Sequence, residues 1–116
     1  MEFLYYDWEE FDDFLAGIPK QDAAKLMSTI SKIEEFGLLI ASREKWIRKL
    51  EPNLYEIRSQ FATNIQRAIY FHVEGQQFVI THGFTKKQQK TPLREIKKGR
   101  QRTRLFFKRK AENKWL

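Results

Sequence analysis

The sequence predicts an α+β fold: a mainly antiparallel β-sheet with an N-terminal helical hairpin and a C-terminal basic helix, in a single compact domain over residues 1–116. Residues 54–84 hold consecutive runs rich in β-branched and aromatic side chains. Before them lie two segments with apolar residues at helical spacing, and after them Thr91-Pro92 opens a cationic segment. A chain of 116 residues suits one domain and buries about two thirds of its unfolded surface.

Phe3-Leu4-Tyr5-Tyr6 reads as a short first strand. A helix starts at Asp7, whose carboxylate caps amides two or three residues on, and Asp7 and Glu10 stand at capping-box spacing. Trp8, Phe11, Phe14 and Leu15 recur at helical spacing until Gly17-Ile18-Pro19 stops the helix. A second helix runs from Gln21 to Phe36, burying Ala23, Leu26, Met27, Ile30 and Ile33, and ends at Gly37. The short link favours an antiparallel hairpin that keeps one face of the sheet dry. Leu38 to Pro52 reads as partly helical. There Arg43, Lys45, Arg48 and Lys49 surround Trp46 and Ile47, a pattern that suits phosphate and base contacts as well as an indole anchoring the crossing into the sheet, which is the reading favoured for Trp46.

The strands Leu54–Arg58, Ile65–Phe71 and Phe78–Phe84 form an antiparallel meander, with Glu74-Gly75 as a turn and Thr85–Lys90 as a basic exit. Thr91 is the expected N-cap and Pro92 the first helical residue of the last helix. Leu93, Ile96, Phe106 and Phe107 can pack, Gly99 weakens the middle, and the distal part is expected to be loose without a partner.

The net charge of +7 is unevenly distributed. Residues 1–40 hold three Lys or Arg against nine Asp or Glu (−6), and residues 41–116 hold nineteen against six (+13). The basic part contains the strands and attracts polyanions, whether nucleic acid, acidic protein or anionic lipid. Absence of cysteine excludes disulfides and cysteine-based zinc sites, and His72 and His82 lie too far apart in sequence to argue for a metal. No P-loop, Gly-x-Gly-x-x-Gly or His-Glu-x-x-His occurs, so no cofactor is implied. Without a leader-like N-terminus or a long apolar run, the expected location is the cytoplasm, with no membrane partner.

Leu54-Tyr55-Glu56-Ile57-Arg58, Asn64 to Phe71, His82-Gly83-Phe84-Thr85-Lys86-Lys87 and Lys90-Thr91-Pro92 together resemble the HigB-like branch of the RelE/ParE toxin superfamily. The resemblance implies the toxin of a type II toxin-antitoxin system, a ribosome-dependent mRNA endoribonuclease that inhibits translation. It also implies a HigA-like helix-turn-helix antitoxin as partner, with mRNA and the 16S rRNA of the ribosome as targets and operator DNA bound only through the antitoxin complex. Arg58 and Arg67 resemble the family's strand arginines, and Lys86-Lys87 the cation after the last strand. The pattern departs from the best-known members at the C-terminus, where no tyrosine follows Tyr70, so the usual acid/base assignment does not transfer. Two rivals stay open: a ParE-like non-nuclease inhibitor of DNA gyrase, and a non-enzymatic RNA-binding module.

Metal-independent RNA cleavage needs a base for the ribose 2′-hydroxyl, stabilisation of the phosphorane, and an acid for the departing 5′-oxygen. Arg58 and Arg67 suit phosphorane stabilisation, because guanidinium stays charged and offers a planar fork. Lys86 and Lys87 share that role, or one becomes a base where crowding by like charge disfavours its ammonium. His82 has an ordinary pKa suited to either proton transfer. Its parity matches Phe78, Ile80 and Phe84, however, and a histidine on an apolar face is more often a satisfied core residue. Glu56 is expected to pair with Arg58 or Arg67, and Tyr55 and Tyr70 to pack across strands. Catalytic candidates are therefore Arg58, Arg67, Lys86, Lys87 and His82; RNA-binding candidates are Arg43, Lys45, Arg48, Lys49, Lys90, Arg94, Lys97 and Lys98. On this reading Arg67→Ala abolishes growth inhibition while folding is retained.

Overall fold

A computed structural model describes residues 1–86 and 89–112. The elements in chain order are β1 (Glu2–Tyr5), α1 (Trp8–Ala16), α2 (Lys20–Phe36), α3 (Leu38–Arg43), β2 (Ile47–Glu51), β3 (Leu54–Phe61), β4 (Asn64–Glu74), β5 (Gln77–Thr85) and α4 (Leu93–Ala111). The sheet order is β1-β5-β4-β3-β2, antiparallel except for the parallel β1–β5 pair. The α+β class and the meander match the expectation. The segment after Leu38 resolves into a short helix and an edge strand, and β2 had not been foreseen.

Helices cover both faces of the sheet. On one, α1 and α2 bring Phe11, Leu26, Ile30 and Ile33 against Ile57, Ala68, Tyr70 and Ile80. Gly83 is required there, since a Cβ would stand 2.6 Å from a ring carbon of Phe14. The other face holds Leu54, Ile69 and Phe84 under Ile96, and Phe71 and Val79 under Phe106. The distal half of α4 thus meets the sheet through Phe106, while Phe107 to Ala111 are exposed. Gly99 is also more than a weak helix former: a Cβ there would lie 2.9 Å from Ile69 Cγ2.

Local signals account for several boundaries. The Asp7 carboxylate accepts from the Glu10 amide at 3.0 Å and caps α1 as expected. Gly75 turns β4 into β5 at φ +53°, a conformation glycine adopts without steric cost. At α4 the expectation fails by one residue. Pro92 is the N-cap, with no capping side chain, because the Thr91 hydroxyl donates to Glu56 instead.

Trp46 packs half-buried against the helix-covered core, with the Lys32 ammonium 5.8 Å from its ring centroid, so it anchors the entry into β2. A polar chain through this side ties helix to sheet: Gln66 donates to the buried Asp22 at 2.8 Å and accepts from Thr85 at 2.6 Å. No described helix is long and apolar enough to cross a membrane.

Candidate functional site

Strand register decides which charges meet. Arg58 lies directly opposite Arg67 on β3 and β4, and Arg48 opposite Glu56 on β2 and β3. Facing residues of paired strands project to the same side, so Arg48, Arg58, Arg67 and Glu56 share the face that carries α4. Glu56, at 0% exposure, accepts through Oε1 from Arg67 Nη1 at 2.9 Å and Arg48 Nε at 3.1 Å, and through Oε2 from the Thr91 hydroxyl. Those partners compensate for taking a carboxylate out of water.

The chain beyond β5 returns across these arginines. The Gln89 carbonyl accepts from Arg48 at 3.0 Å and Arg67 at 3.2 Å, and the Gln89 side-chain oxygen accepts from Arg58 at 3.2 Å. The Thr91 hydroxyl accepts from Arg48 at 2.8 Å. Oxygen atoms of one short segment therefore draw together guanidinium groups from three strands.

Burial separates the two facing arginines. Arg67 is 0% exposed, and burial pushes its pKa down while Glu56 opposes that shift. Arg58 is half-buried; its Nε is enclosed without a hydrogen-bond partner among the described residues. Beside it opens a depression of about 170 Å³ lined by Lys45, Arg58, Gln60 and Ile65. The Lys86 amide donates to the Ile65 carbonyl at 2.9 Å, bringing the basic exit segment to its rim. The Arg58 guanidinium borders this cationic hollow, where its charge favours an anion.

The remaining candidates divide among several places. His82 does not share a face with Phe78 and Ile80 despite its parity. The register passes from Ile69↔His82 to Tyr70↔Ile80, so Thr81 is an extra residue that turns His82 onto the α4 face with Phe84 and Val79. There, at 3% exposure, its Nδ1 meets the Thr81 hydroxyl at 2.8 Å and its Nε2 the Glu95 carboxylate at 3.0 Å. Burial, reinforced by Lys98 and opposed by Glu95, pushes its pKa down to about 4. His82 thus fastens α4 to the sheet.

Lys87 lies outside the described residues, whereas Arg43, Lys49 and Lys90 are exposed. Arg94 and Lys97 are exposed on α4, while Lys98 is drawn to Glu10 at 3.3 Å. Sequence reasoning assigned Arg48 to an RNA surface and missed its bond to Glu56. The missed signal was the edge strand itself, which would have placed Arg48 across from Glu56. Tyr55 and Tyr70 stack at 5.2 Å between centroids, as cross-strand partners on the helix-covered side.

The family model for Phage derived protein Gp49-like (DUF891) matches residues 13–104. The chain belongs to this family. It is a RelE/HigB-type toxin-like family, and the matched span includes the whole arginine cluster. The α+β fold is consistent with that relationship. No curated protein matches the chain.

Proposed function

We propose that this chain is the toxin of a type II toxin-antitoxin pair and acts as a HigB-like, ribosome-dependent mRNA endoribonuclease. The observation that carries the reading is the cross-strand pair Arg58 and Arg67 with the hollow beside Arg58. Arg58 binds the scissile phosphate and stabilises the phosphorane. Arg67 stands behind it, held by Glu56, as a fixed positive charge that touches no substrate. Lys45 and Lys86 supply further positive charge at the hollow, and the ribosome supplies the alignment of the 2′-hydroxyl for in-line attack. His82 takes no part in proton transfer in this mechanism.

A HigA-like helix-turn-helix antitoxin is the proposed partner. Phe36, Leu39 and Ile40 are exposed large apolar residues around the α2–α3 junction, beside a depression of about 660 Å³ lined in part by Phe36, Leu38, Tyr55 and Phe78. A partner bound there lies away from Arg58 and inhibits by blocking ribosome entry with its bulk.

The test maps mRNA 5′ ends after induction of the wild-type chain and of Arg58→Ala, with circular dichroism confirming that both fold. Codon-phased cuts in the wild type and a loss of about 100-fold or more in the variant are expected, the scale for removing one transition-state donor. DNA damage without mRNA cuts would establish the gyrase-directed alternative, and wild-type cutting by folded Arg58→Ala would reject the assigned chemistry.

A further inference from the structure

Helical geometry sorts the cations of α4. At about 100° per residue, Arg94, Lys97, Gln101, Arg104 and Lys108 fall on one stripe, opposite the buried Gly99 and Phe106. Lys98 and Arg102 are taken by Glu10, Arg100 by Glu51 and Lys110 by Glu74. Lys97, Arg104 and Lys108 are exposed and have no ion pair among the described residues. From Arg94 to Lys108 the stripe runs about 21 Å at the α-helical rise.

Arg104 also borders a cleft of about 300 Å³, whose other walls include Pro52, Leu54, Thr103 and Phe107. Polar groups around it are already engaged. The Asn53 side chain exchanges two hydrogen bonds of 3.0 Å with the His72 backbone, Thr103 donates to the Gly99 carbonyl at 2.8 Å, and Glu51 holds Arg100 at 2.7 and 2.8 Å. Phe107 keeps 36% exposure although its ring lies 5.6 Å from Phe71 and 5.7 Å from Phe106. The ring is therefore positioned before any ligand arrives.

We infer that the outward face of α4 binds single-stranded nucleic acid, with phosphates along Lys97, Arg104 and Lys108 and an unpaired base in the cleft against Phe107. The cations select a polyanion. The apolar cleft selects a splayed base, which an acidic protein does not carry and a duplex keeps stacked. Phe107 and Lys108 lie beyond the matched span 13–104 and share no lining residue with the hollow at Arg58. Binding here does not depend on cleavage.

The test measures fluorescence anisotropy of a labelled short oligoadenylate with the purified full chain across about 50 to 200 mM KCl. Replacing Lys97, Arg104 and Lys108 together by Gln should flatten the slope of log K against log salt by about 2, at roughly 0.7 per lost contact. Phe107→Leu keeps apolar packing but removes the stacking face, and should weaken binding by about 5- to 100-fold with the slope unchanged. Wild-type affinity and slope in both variants would overturn the inference. So would equal binding of an RNA duplex of the same length, or competition by polyglutamate as effective as that by unlabelled RNA. Because the readout is binding by the isolated protein, its failure is distinguishable from a failure of ribosome-dependent cleavage.

Discussion

Replacing Arg67 by Ala should cost much of the protein's stability before it reveals anything about chemistry. Arg67 and Glu56 are both 0% exposed and their side chains meet at 2.9 Å. Removing the guanidinium leaves the carboxylate with Arg48, whose side chain is 37% exposed, and with the Thr91 hydroxyl. Breaking a buried pair from one side costs about 3–5 kcal/mol, against a total stability of roughly 5–15 kcal/mol for a domain. With a urea slope of about 1.5 kcal/mol/M, the unfolding midpoint should fall by roughly 2–3 M. Glu56→Gln combined with Arg67→Met removes both charges and keeps most of the volume, so it should recover about 2 kcal/mol relative to Arg67→Ala. Urea titration followed by circular dichroism measures all three proteins. An Arg67→Ala midpoint within about 0.3 M of wild type would refute the buried-pair argument. A loss of growth inhibition in Arg67→Ala would therefore carry a loss of stability with it, and Arg58 becomes the informative position.

Two further perturbations probe the α4 face. His82 has a folded pKa of about 4 against an ordinary 6.5, so the unfolded chain binds more protons between those values. Its contribution is complete above about pH 6.5 and is lost as pH falls toward 4, amounting to roughly 3 kcal/mol, which His82→Gln should remove from the pH dependence of urea unfolding. An unchanged acid limb in that variant would show that His82 is not the titrating group. Gly99→Ala sets a helix-propensity gain of about 1 kcal/mol against overpacking of about 1–3 kcal/mol, since the new Cβ would stand 2.9 Å from Ile69 Cγ2. A net fall in thermal midpoint is expected, and a rise would mean that the helix shifts freely over the sheet.

The parts of the fold visible in the sequence are those set by local rules. The Asp7 cap and the α2 stripe through Leu26, Ile30 and Ile33 follow from residues close in the chain, whereas the face that Arg58 and Arg67 share is set by the pairing of β3 with β4. The edge strand β2 was hidden because Ile47–Glu51 carries cations at both pleat faces, and only Glu56, brought opposite by the sheet, explains the inward Arg48. The facing of His82 was hidden for another reason: the extra residue at Thr81 is a property of pairing with β4, not of β5 alone. Thr91 carried a valid capping signal, but the buried carboxylate of Glu56 competed for the same hydroxyl.

Net charge was the least direct guide to the site, because many cations of the basic part are paired internally, with Glu51, Glu56, Glu74 and Glu95 of the same part and with Glu10 of the acidic N-terminal part. Glu10 on α1 accepts two hydrogen bonds from Arg102, at 3.0 and 2.7 Å, and its carboxyl is held below the usual range chiefly by that contact. Arg102 also donates to the Thr81 carbonyl at 2.9 Å and lies 4.9 Å from the Tyr6 ring centroid. One cation thereby joins α1, β5 and α4, while Arg48 and Arg67 are likewise engaged with Glu56. Exposed pairs add little stability, so the lasting effect of this internal pairing is geometric: it fixes which cations face outward. Among the cations left unneutralised are those at the corner by Arg58 and along the α4 stripe, joined by the turn through Thr91 that closes over Glu56 and leads into the helix. Long-range attraction reflects the full net charge, but stereospecific binding depends on these two placed sets, and their separation on the fold allows each to be altered without the other.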